Sequence, residues 1–549
     1  MNLNPAVQKN VQAWLEGPYD EQTKQELREL LKTDPVKVAD AFYTQLTFGT
    51  GGLRALMGIG TNRLNGYTIR TAAQGVAAVL KKESPSPSVC LGYDSRLNSR
   101  YFAEETAKVL AGNGCKVYFF KELRPSPLVS FGVRHLHCTA GIMITASHNP
   151  PAYNGFKVFW GDGAQVLAPY DKEILAEIQK VTSPLEVKMV PKLDHRLIEQ
   201  IDLDKAYLKR IDHLRLHPAK TDIKVVYTSL HGTGVPLVPQ ALKQAGFGSV
   251  TLVEEQVIPD GKFNTCPNPN PEDPHALDLG IRTLKATQGD LLIATDPDTD
   301  RMGAAVWHKG KVHLLSGNQI ACICLYTLLN DLKMKGALPP QPACIKTLAT
   351  TELFRKICED HQCLCIDVLT GFKYIAEKIR EWDQQEGAPQ FIFGGEESFG
   401  YLLGNNTTRD KDGITVSVLL AEAAAFAKEK GLTLIGLMDQ IYQKYGYFLA
   451  TLTTLDFPET LAGRQTMAQK IAQLETEAFG KNLPLKNIVE FPKNKTFVLH
   501  FQDDTTIIIR PSGTEPKIKI YCEVHQAGNA KDLEQKAQAA LTQVLDALG

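Results

Sequence analysis

The stretch SVCLGYDSRLNSRYFAEETAKVLAGNGCKVYFF, residues 88–120, contains a strand-like apolar run, a helical run and a second strand-like run in direct succession. A helical pattern follows in PLVSFGVRHL (127–136), and another strand pattern in GIMITA (141–146). Strands that alternate with helices at this spacing predict an open α/β domain with a mainly parallel or mixed sheet.

The same alternation recurs twice along the chain. The second round runs from IKVVYTSLHGTG (223–234) to DLLIATDPDTD (290–300), and the third from ACIKTLATTELFRKICEDH (343–361) to QFIFGGEES (390–398). After about residue 437 the pattern changes to strands of antiparallel type with flanking helices, which predicts an α+β domain. We therefore expect four domains, at residues 1–208, 209–313, 314–436 and 437–549. The segment VQAWLE (11–16) is expected to pack either on the first domain or on a partner.

Composition limits the classes of function. The 549 residues are too many for a single core, and 43% hydrophobic with 22% charged residues is typical of a folded, soluble enzyme. Sixty basic residues against sixty-one acidic ones give a net charge of −1, so no global field recruits nucleic acid or an anionic membrane. The start of the chain lacks the pattern of a secretory signal and no long apolar run is present, so a cytoplasmic location is expected.

The eleven cysteines are scattered, without a CxxC pair, which favours reduced thiols. One dense group contains Cys358, His361, Cys363 and Cys365. A zinc site is conceivable there, but the alternation in CLCIDVL is typical of a strand, so buried structural cysteines are the favoured interpretation.

Ser147 is the first candidate for a nucleophile. It directly follows the apolar strand GIMIT and lies in the rigid loop ASHNPP, at the sheet edge where α/β proteins keep their chemistry. A turn or N-cap serine is the alternative reading. Lys157, ten residues later in AYNGFKVFW, could neutralise charge that develops on a phosphoryl group.

DLLIATDPDTDR (290–301) ends in three alternating carboxylates, Asp296, Asp298 and Asp300. In extended geometry all three face one side of the backbone, and hard oxygen ligands without Cys or His favour Mg²⁺ over zinc. An EF-hand is disfavoured, because Arg301 occupies its glycine position and Trp307 its final glutamate position. A solvated acidic turn remains the alternative.

Two further loops offer recognition groups. GGEESFG (394–400) presents Glu396, Glu397 and Ser398, which suit hydrogen bonds with sugar hydroxyls, and Lys411 follows as an acid/base or phosphate contact. A glycosidase reading of the paired glutamates does not account for the other loops. RPSGTEPK (510–517) offers Arg510, a Ser-Gly-Thr turn and nearby lysines to an anion. No Walker A sequence is present, which disfavours a nucleotide-driven kinase.

These loops together resemble the α-D-phosphohexomutases, in the branch that contains phosphoglucomutases and phosphopentomutases. TASHNP, DPDTDR, GGEESFG and RPSGTEPK stand in the order of that family's four active-site loops, and GTGGLR (49–54), GYDSR (92–96), LRPSP (123–127), PNPNPE (267–272) and LTGFK (369–373) match its recurring segments. The resemblance covers about residues 45–525. It implies three related mixed-sheet α/β domains and a C-terminal α+β domain of TATA-box-binding-protein-like fold around a central cleft.

The resemblance also implies roles for individual residues. Ser147 would be the phosphoserine and, with Asp296, Asp298 and Asp300, would hold Mg²⁺. Arg54, His148 and Lys157 would surround the reacting group, and Lys411 stands where the family has a lysine proposed as an acid/base. Arg301 would lie beside the aspartates as a substrate-binding residue. Those expected to bind the sugar are Thr370, Gly371, Glu396 and Ser398. Those expected to hold the phosphate that is not transferred are Arg510, Ser512, Gly513, Thr514 and Lys519. Lys519 stands where the glucose-specific branch often has arginine, and a point charge grips phosphate less rigidly than a bidentate fork.

The expected function is interconversion of glucose 1-phosphate and glucose 6-phosphate, with glucose 1,6-bisphosphate as activator and intermediate. A phosphopentomutase acting on ribose 1-phosphate and a glucose-1,6-bisphosphate synthase are alternatives within the branch. An inactive phosphosugar-binding regulatory homologue and a metal-dependent phosphatase are alternatives of other classes. The expected partners are small sugar phosphates, with no nucleic acid or membrane, and the chain is expected to be a monomer or homodimer.

Overall fold

The computed structural model describes residues 3–49, 51–216, 221–404, 406–458, 461–474, 483–512, 516–526 and 532–548. The chain opens with three helices: α1 (Pro5–Glu16), α2 (Glu21–Thr33) and α3 (Pro35–Phe42). Their apolar residues, including Trp14 and Phe42, form a small core that packs against Tyr67 of the following helix. The segment VQAWLE therefore packs on the first α/β domain.

The first α/β domain contains a six-stranded mixed sheet. In chain order its elements are β1 (Gly52–Leu56), α4 (Gly66–Glu83), β2 (Ser88–Tyr93), α5 (Ser99–Gly112), β3 (Lys116–Phe120), α6 (Ser126–His135), β4 (Ala140–Ile144), β5 (Tyr153–Trp160), α7 (Tyr170–Lys180), β6 (Ile198–Ile201) and α8 (Asp204–Ile211). The strand order is β1-β5-β4-β2-β3-β6, with β5 antiparallel to both of its neighbours. Asn65 starts α4 by accepting the N–H groups of Tyr67 and Thr68 in a capping box.

The second α/β domain contains a five-stranded sheet. Its elements are β7 (Thr221–Thr228), α9 (Val238–Gln244), β8 (Phe247–Leu252), α10 (Asp278–Ala286), β9 (Leu291–Thr295), β10 (Met302–His308) and β11 (Lys311–Leu315). The strand order is β11-β10-β9-β7-β8. β9 is completely buried, and the acidic loop follows directly at its carboxyl end.

The third α/β domain contains a four-stranded sheet of order β13-β12-β14-β15. Its elements are α11 (Gly317–Met334), β12 (Pro342–Thr347), α12 (Glu352–Asp360), β13 (Leu364–Val368), α13 (Phe372–Asp383), β14 (Gln390–Gly395), β15 (Tyr401–Leu403), α14 (Gly413–Glu429) and α15 (Leu434–Tyr445). The Ala-rich α14 is apolar on nearly all sides, as expected of a helix buried between domains, and it packs on α11, α9 and β7.

The C-terminal domain is antiparallel throughout its sheet. Its elements are β16 (Tyr447–Asp456), α16 (Leu461–Leu474), β17 (Leu485–Phe491), β18 (Thr496–Phe501), β19 (Thr506–Pro511), β20 (Lys517–Gln526) and α17 (Leu533–Leu548). The strand order is β16-β20-β19-β18-β17. Short 3₁₀ helices elsewhere in the chain lie at Pro184–Glu186, Asp212–Leu214, Glu254–Gln256 and Pro274–Leu277. The four-domain α/β and α+β architecture predicted from the sequence is confirmed, while the exact boundaries stay a prediction.

The apolar core of the described residues consists of several clusters. One of them runs through all three α/β domains, from Phe120 in the first through Ile293 in the second to Phe393 in the third. The first domain has a further cluster of its own, which includes Val89 and Ile142. The C-terminal domain has a separate core that includes Phe497 and Leu541. Within the described residues, no helix combines the length and apolarity needed to cross a membrane.

Candidate active site

The loop after β4 presents Ser147 to the cleft in a constrained conformation. Its φ of 52° lies in the left-handed region, and its N–H donates to Thr145 Oγ1 over 2.8 Å. The side chain is only 3% exposed. Ser147 Oγ donates to Asp296 Oδ2 over 2.7 Å and lies 3.2 Å from His148 Nδ1. The predicted nucleophile therefore contacts the predicted metal loop of the next domain.

Arg96 binds the backbone of this loop, a role that the sequence did not reveal. Its guanidinium donates to the carbonyl oxygens of Ser147 and Asn149, and to those of Pro150 and Tyr153 over 3.0 and 3.2 Å. A buried arginine that binds four backbone carbonyls fixes the path of the loop. In the sequence, GYDSR stands out only as a recurring segment of the family. The only sign of a role for Arg96 is its position shortly after a buried strand.

The acid triad lies in the interior, with Asp296, Asp298 and Asp300 each at most 1% exposed. One carboxylate oxygen from each lies within 4.8 Å of the others. Ser126 of the first domain donates to Asp298 Oδ2 over 2.6 Å, which ties the two domains together at this point.

Several observations show that the triad fits a hard divalent cation. Asp298 Oδ1 and Asp300 Oδ1 are buried and have no hydrogen-bond partner within the part of the chain that the structure describes. Burial, together with Asp298 and Asp300, raises the pKa of Asp296 well above its usual range, as expected for crowded like charges. Oxygen ligands of this kind suit Mg²⁺.

Two lysines balance part of this charge. Lys157 Nζ donates to Asp298 Oδ2 over 2.6 Å and to Asp300 Oδ2 over 2.9 Å. Lys411 Nζ lies 3.4 Å from Asp300 Oδ2. Burial disfavours the charged form of Lys411, but Asp300 and Asp410 outweigh it and raise its pKa. Both lysines are thus ammonium groups beside the nucleophile.

The remaining predicted residues near the reacting group lie around these lysines. Arg54 Nη1 donates to Asn149 Oδ1 over 2.8 Å, and Arg301 Nη1 donates to Glu272 Oε1 over 2.7 Å. Burial and the neighbouring arginines, Arg301 first, lower the pKa of His148 well below its usual range. His148 is therefore a neutral imidazole.

A single cavity of about 330 Å³ unites the loops. Its lining includes the predicted residues Arg54, Ser147, Lys157, Asp300, Arg301, Thr370, Gly371, Glu396, Ser398, Lys411, Arg510, Ser512 and Lys519. Gly513 and Thr514 lie outside the described residues. The cavity thus joins one reactive serine to a separate set of basic groups on the C-terminal domain.

Glu396 is the titratable group on the sugar side of this cavity. Burial raises its pKa to about 7, partly offset by Lys411. Thr370 Oγ1 is buried without a hydrogen-bond partner among the described residues. A carboxylate and a hydroxyl with unused bonding capacity suit a polyhydroxylated ligand.

Lys373 is a second cavity residue that the sequence reasoning missed. Burial and then Arg510 lower its pKa to about 8, so two basic side chains from different domains face each other. Their proximity costs free energy unless an anion lies between them. The segment LTGFK was recognised, but only its threonine and glycine were assigned.

A larger cavity of about 590 Å³ adjoins the first and shares Ser398, Lys519 and Tyr521 with it. Five carboxylates line this second cavity: Glu272, Glu352, Asp367, Glu397 and Glu523. Because like charges repel, a sugar phosphate is matched by the smaller, basic cavity.

Comparison with known proteins agrees with this geometry. Four domain models of the phosphoglucomutase/phosphomannomutase family match the chain: alpha/beta/alpha domain I at residues 45–184, domain II at 205–309, domain III at 316–445 and the C-terminal domain at 469–540. A phosphoglucomutase of Staphylococcus haemolyticus is 35% identical over 527 residues, which cover 90% of this chain and 93% of that protein.

Solved structures show the same fold. A phosphoglucomutase/phosphomannomutase family protein of Burkholderia thailandensis superimposes with a TM-score of 0.70 at 21% identity, over 92% of this chain and 98% of that one. An Aspergillus fumigatus N-acetylphosphoglucosamine mutase, solved as a serine-to-alanine variant with glucose 1,6-bisphosphate, gives a TM-score of 0.52 at 15% identity, over 99% of each chain.

Four domains around a cleft, with these four loops, define the α-D-phosphohexomutases, which are isomerases. The matches extend over all four domains and nearly the whole length of the relatives. The chain belongs to the phosphoglucomutase/phosphomannomutase family.

Proposed function

We propose that the chain is a phosphoglucomutase that interconverts glucose 1-phosphate and glucose 6-phosphate through a phosphoserine at Ser147 and a glucose 1,6-bisphosphate intermediate. The observation that carries the proposal is the position of Ser147 Oγ, 2.7 Å from Asp296 Oδ2, in one cavity with Arg510 and Lys519. Its 35% identical relative is named phosphoglucomutase, which favours glucose as the sugar.

In the first half-reaction the phosphoryl group leaves Ser147 for the free hydroxyl of a glucose monophosphate. Lys157 and Lys411 supply ammonium groups beside Asp300, where negative charge spreads over the phosphoryl oxygens. When held by Asp296, Asp298 and Asp300, Mg²⁺ supplies further charge neutralisation and orientation. The glucose hydroxyl loses a proton as it accepts the phosphoryl group and Ser147 Oγ gains one, so the exchange balances, and the neutral imidazole of His148 lies 3.2 Å from Ser147 Oγ.

Between the half-reactions the bisphosphate must turn so that its other phosphate meets Ser147. Arg510 and Lys519 would hold whichever phosphate is not reacting, while Glu396 and Ser398 bind hydroxyls in either orientation. One reactive site and one separate anion site are sufficient for such a cycle. The bisphosphate bound by the Aspergillus fumigatus relative supports this choice of intermediate.

The test is turnover of purified protein with Mg²⁺ and trace glucose 1,6-bisphosphate. Glucose 1-phosphate should yield glucose 6-phosphate without release of inorganic phosphate, and faster than ribose 1-phosphate or mannose 1-phosphate is converted. A preference for the ribose ester would make the enzyme a phosphopentomutase. Release of phosphate would indicate a phosphatase. No conversion of any of the three esters would contradict a mutase activity.

Replacement of the nucleophile gives a second test. Ser147→Ala keeps a Cβ at the same backbone position, so the fold should persist while turnover falls by at least about 10³-fold. Ser249→Ala, at an exposed position in β8, is the matched control and should retain activity. Substantial mutase activity in the Ser147 variant would remove the phosphoserine assignment.

A further inference from the structure

Three cysteine sulfurs converge in the third domain, away from the substrate cavity. Cys344 lies on β12, Cys358 on α12, and Cys363 immediately before β13. Their Sγ atoms all lie within 4.8 Å of one another, and those of Cys344 and Cys363 are 3.6 Å apart. The sequence led us to expect buried structural cysteines in this region, and it did not include Cys344, which is distant along the chain.

The spacing of the sulfurs suits a shared metal ion. A metal–thiolate bond of about 2.3 Å places the sulfurs of a three- or four-coordinate site about 4 Å apart. The 3.6 Å between the sulfurs of Cys344 and Cys363 is close to that value, and the sulfur of Cys358 lies within 4.8 Å of both. A disulfide would join only two of the sulfurs and would leave the third without a function.

The surroundings also meet the requirements of such a site. Cys344 and Cys358 are 0% exposed and Cys363 is 5% exposed, so the sulfurs are shielded from bulk water. Cys365, half-buried and paired in register with Cys344, lies at the rim of the cluster and offers a route of entry.

We propose that Cys344, Cys358 and Cys363 form a binding site for a thiophilic d¹⁰ metal ion, either Cu(I) or Zn²⁺. Thiolates are soft ligands that select these ions, and the thiol protons pass to solvent as the ion binds. Cu(I) needs only the three sulfur ligands. Zn²⁺ prefers four ligands and would recruit Cys365 as the fourth. The bound ion would join α12 to the β12–β13 pair.

The experiment is a competition titration of the reduced, full-length protein under anaerobic conditions. Cu(I) is supplied with bathocuproine disulfonate, and Zn²⁺ with 4-(2-pyridylazo)resorcinol and excess Mg²⁺ to occupy the acid triad. We expect one ion per chain, and at least tenfold weaker binding in Cys344→Ser and in Cys363→Ser. Cys324→Ala is the matched control, because Cys324 is equally buried but lies on α11 outside the cluster, and this variant should bind normally.

Cys365→Ser separates the two ions. It should weaken Zn²⁺ binding at least tenfold while leaving Cu(I) binding unchanged if the coordination numbers are as proposed. Glucose phosphate turnover of each variant verifies its fold. Absence of stoichiometric binding in the native chain, or equal affinity in the Cys344 and Cys363 variants that remain folded, would overturn the proposal.

Discussion

At the scale of single residues, Arg96 determines the geometry of the nucleophile without a contact to Ser147 Oγ. It binds the loop through backbone carbonyls, among them those of Ser147 and Pro150. Lysine keeps the charge but cannot reproduce the planar fork. We expect Arg96→Lys to lower kcat at least about tenfold and to change the KM for glucose 1-phosphate less than about twofold. Steady-state kinetics would decide, and an increase confined to KM would contradict the positioning role.

Glu396 should give the reaction a pH dependence near neutrality. Its pKa is raised to about 7 by burial, and the carboxylate accepts stronger hydrogen bonds from sugar hydroxyls than the neutral acid does. We therefore expect kcat/KM to fall as the pH decreases below about 7, and Glu396→Gln to remove that dependence.

The raised pKa of Glu396 also makes stability depend on pH. Because the native state holds this proton more tightly than the unfolded state, Glu396 should lower the free energy of unfolding as the pH rises from about 5 to 8. The same substitution should thus stabilise the fold more at pH 8 than at pH 5 in urea titrations.

The sequence predicted the candidate reactive residues that the structure brings together, but not those that support them. Ser147 and the aspartates each follow an apolar strand, and that local pattern, taken with the other loops, indicates them. Arg96 and Lys373 acquire their roles from partners on other elements, so no local pattern marks them. The grouping of Cys344 with Cys363 also depends on strand pairing, which the sequence does not display.

At the scale of elements, the packing of β1 against β5 positions Arg54 and depends on one glycine. Gly52 has a φ of 144°, and a Cβ there would lie 1.9 Å from the carbonyl oxygen of Phe156. We expect Gly52→Ala to destabilise the protein by about 2–4 kcal/mol and to reduce turnover as β1 moves. Denaturant unfolding measures the first effect and steady-state rates the second.

Gly310 provides the matched control for that substitution. It lies in the turn between β10 and β11 with a φ of 79°, and a Cβ there meets nothing within 4 Å. Gly310→Ala should therefore cost only about 1 kcal/mol, from backbone strain alone, and leave activity unchanged. If both variants lost the same free energy of unfolding, the positive φ, rather than the contact with Phe156, would account for the cost of a side chain at position 52.

Strands and helices were the most predictable features, because burial imposes a period on each of them. The alternation in 88–146 corresponds to observed elements from β2 to β4. The contacts between domains were not predictable. Ser126 and Asp298 are 172 residues apart and meet through a 2.6 Å hydrogen bond that no periodicity encodes.

At the scale of the whole molecule, the separate core of the C-terminal domain predicts two steps of unfolding. One apolar cluster runs through the three α/β domains and joins them, although the first domain also has a cluster of its own. The C-terminal domain has a separate core and contacts the third domain through a small cluster that includes Ala349 and Tyr521. We expect calorimetry to show an earlier transition for the C-terminal domain, and hydrogen exchange to be faster in 447–526 than in 221–315. Glucose 1,6-bisphosphate should raise the earlier transition, because Arg510 and Lys519 belong to that domain. A single transition without ligand would contradict this division.

The lysine bridge over the acid triad would couple metal binding to the proposed phosphorylation of Ser147. Lys157 Nζ, 2.6 Å from Asp298 Oδ2 and 2.9 Å from Asp300 Oδ2, occupies one oxygen of each of two carboxylates that would hold a cation. A phosphate on Ser147 would attract that ammonium and free the carboxylates, so phosphorylation should raise the affinity for metal. By reciprocity, metal must then stabilise the phosphorylated form by the same free energy. A cell that depletes its magnesium would therefore lose phosphorylated enzyme as well as catalytic rate. Its sugar-phosphate flux would then fall more steeply than metal occupancy alone predicts.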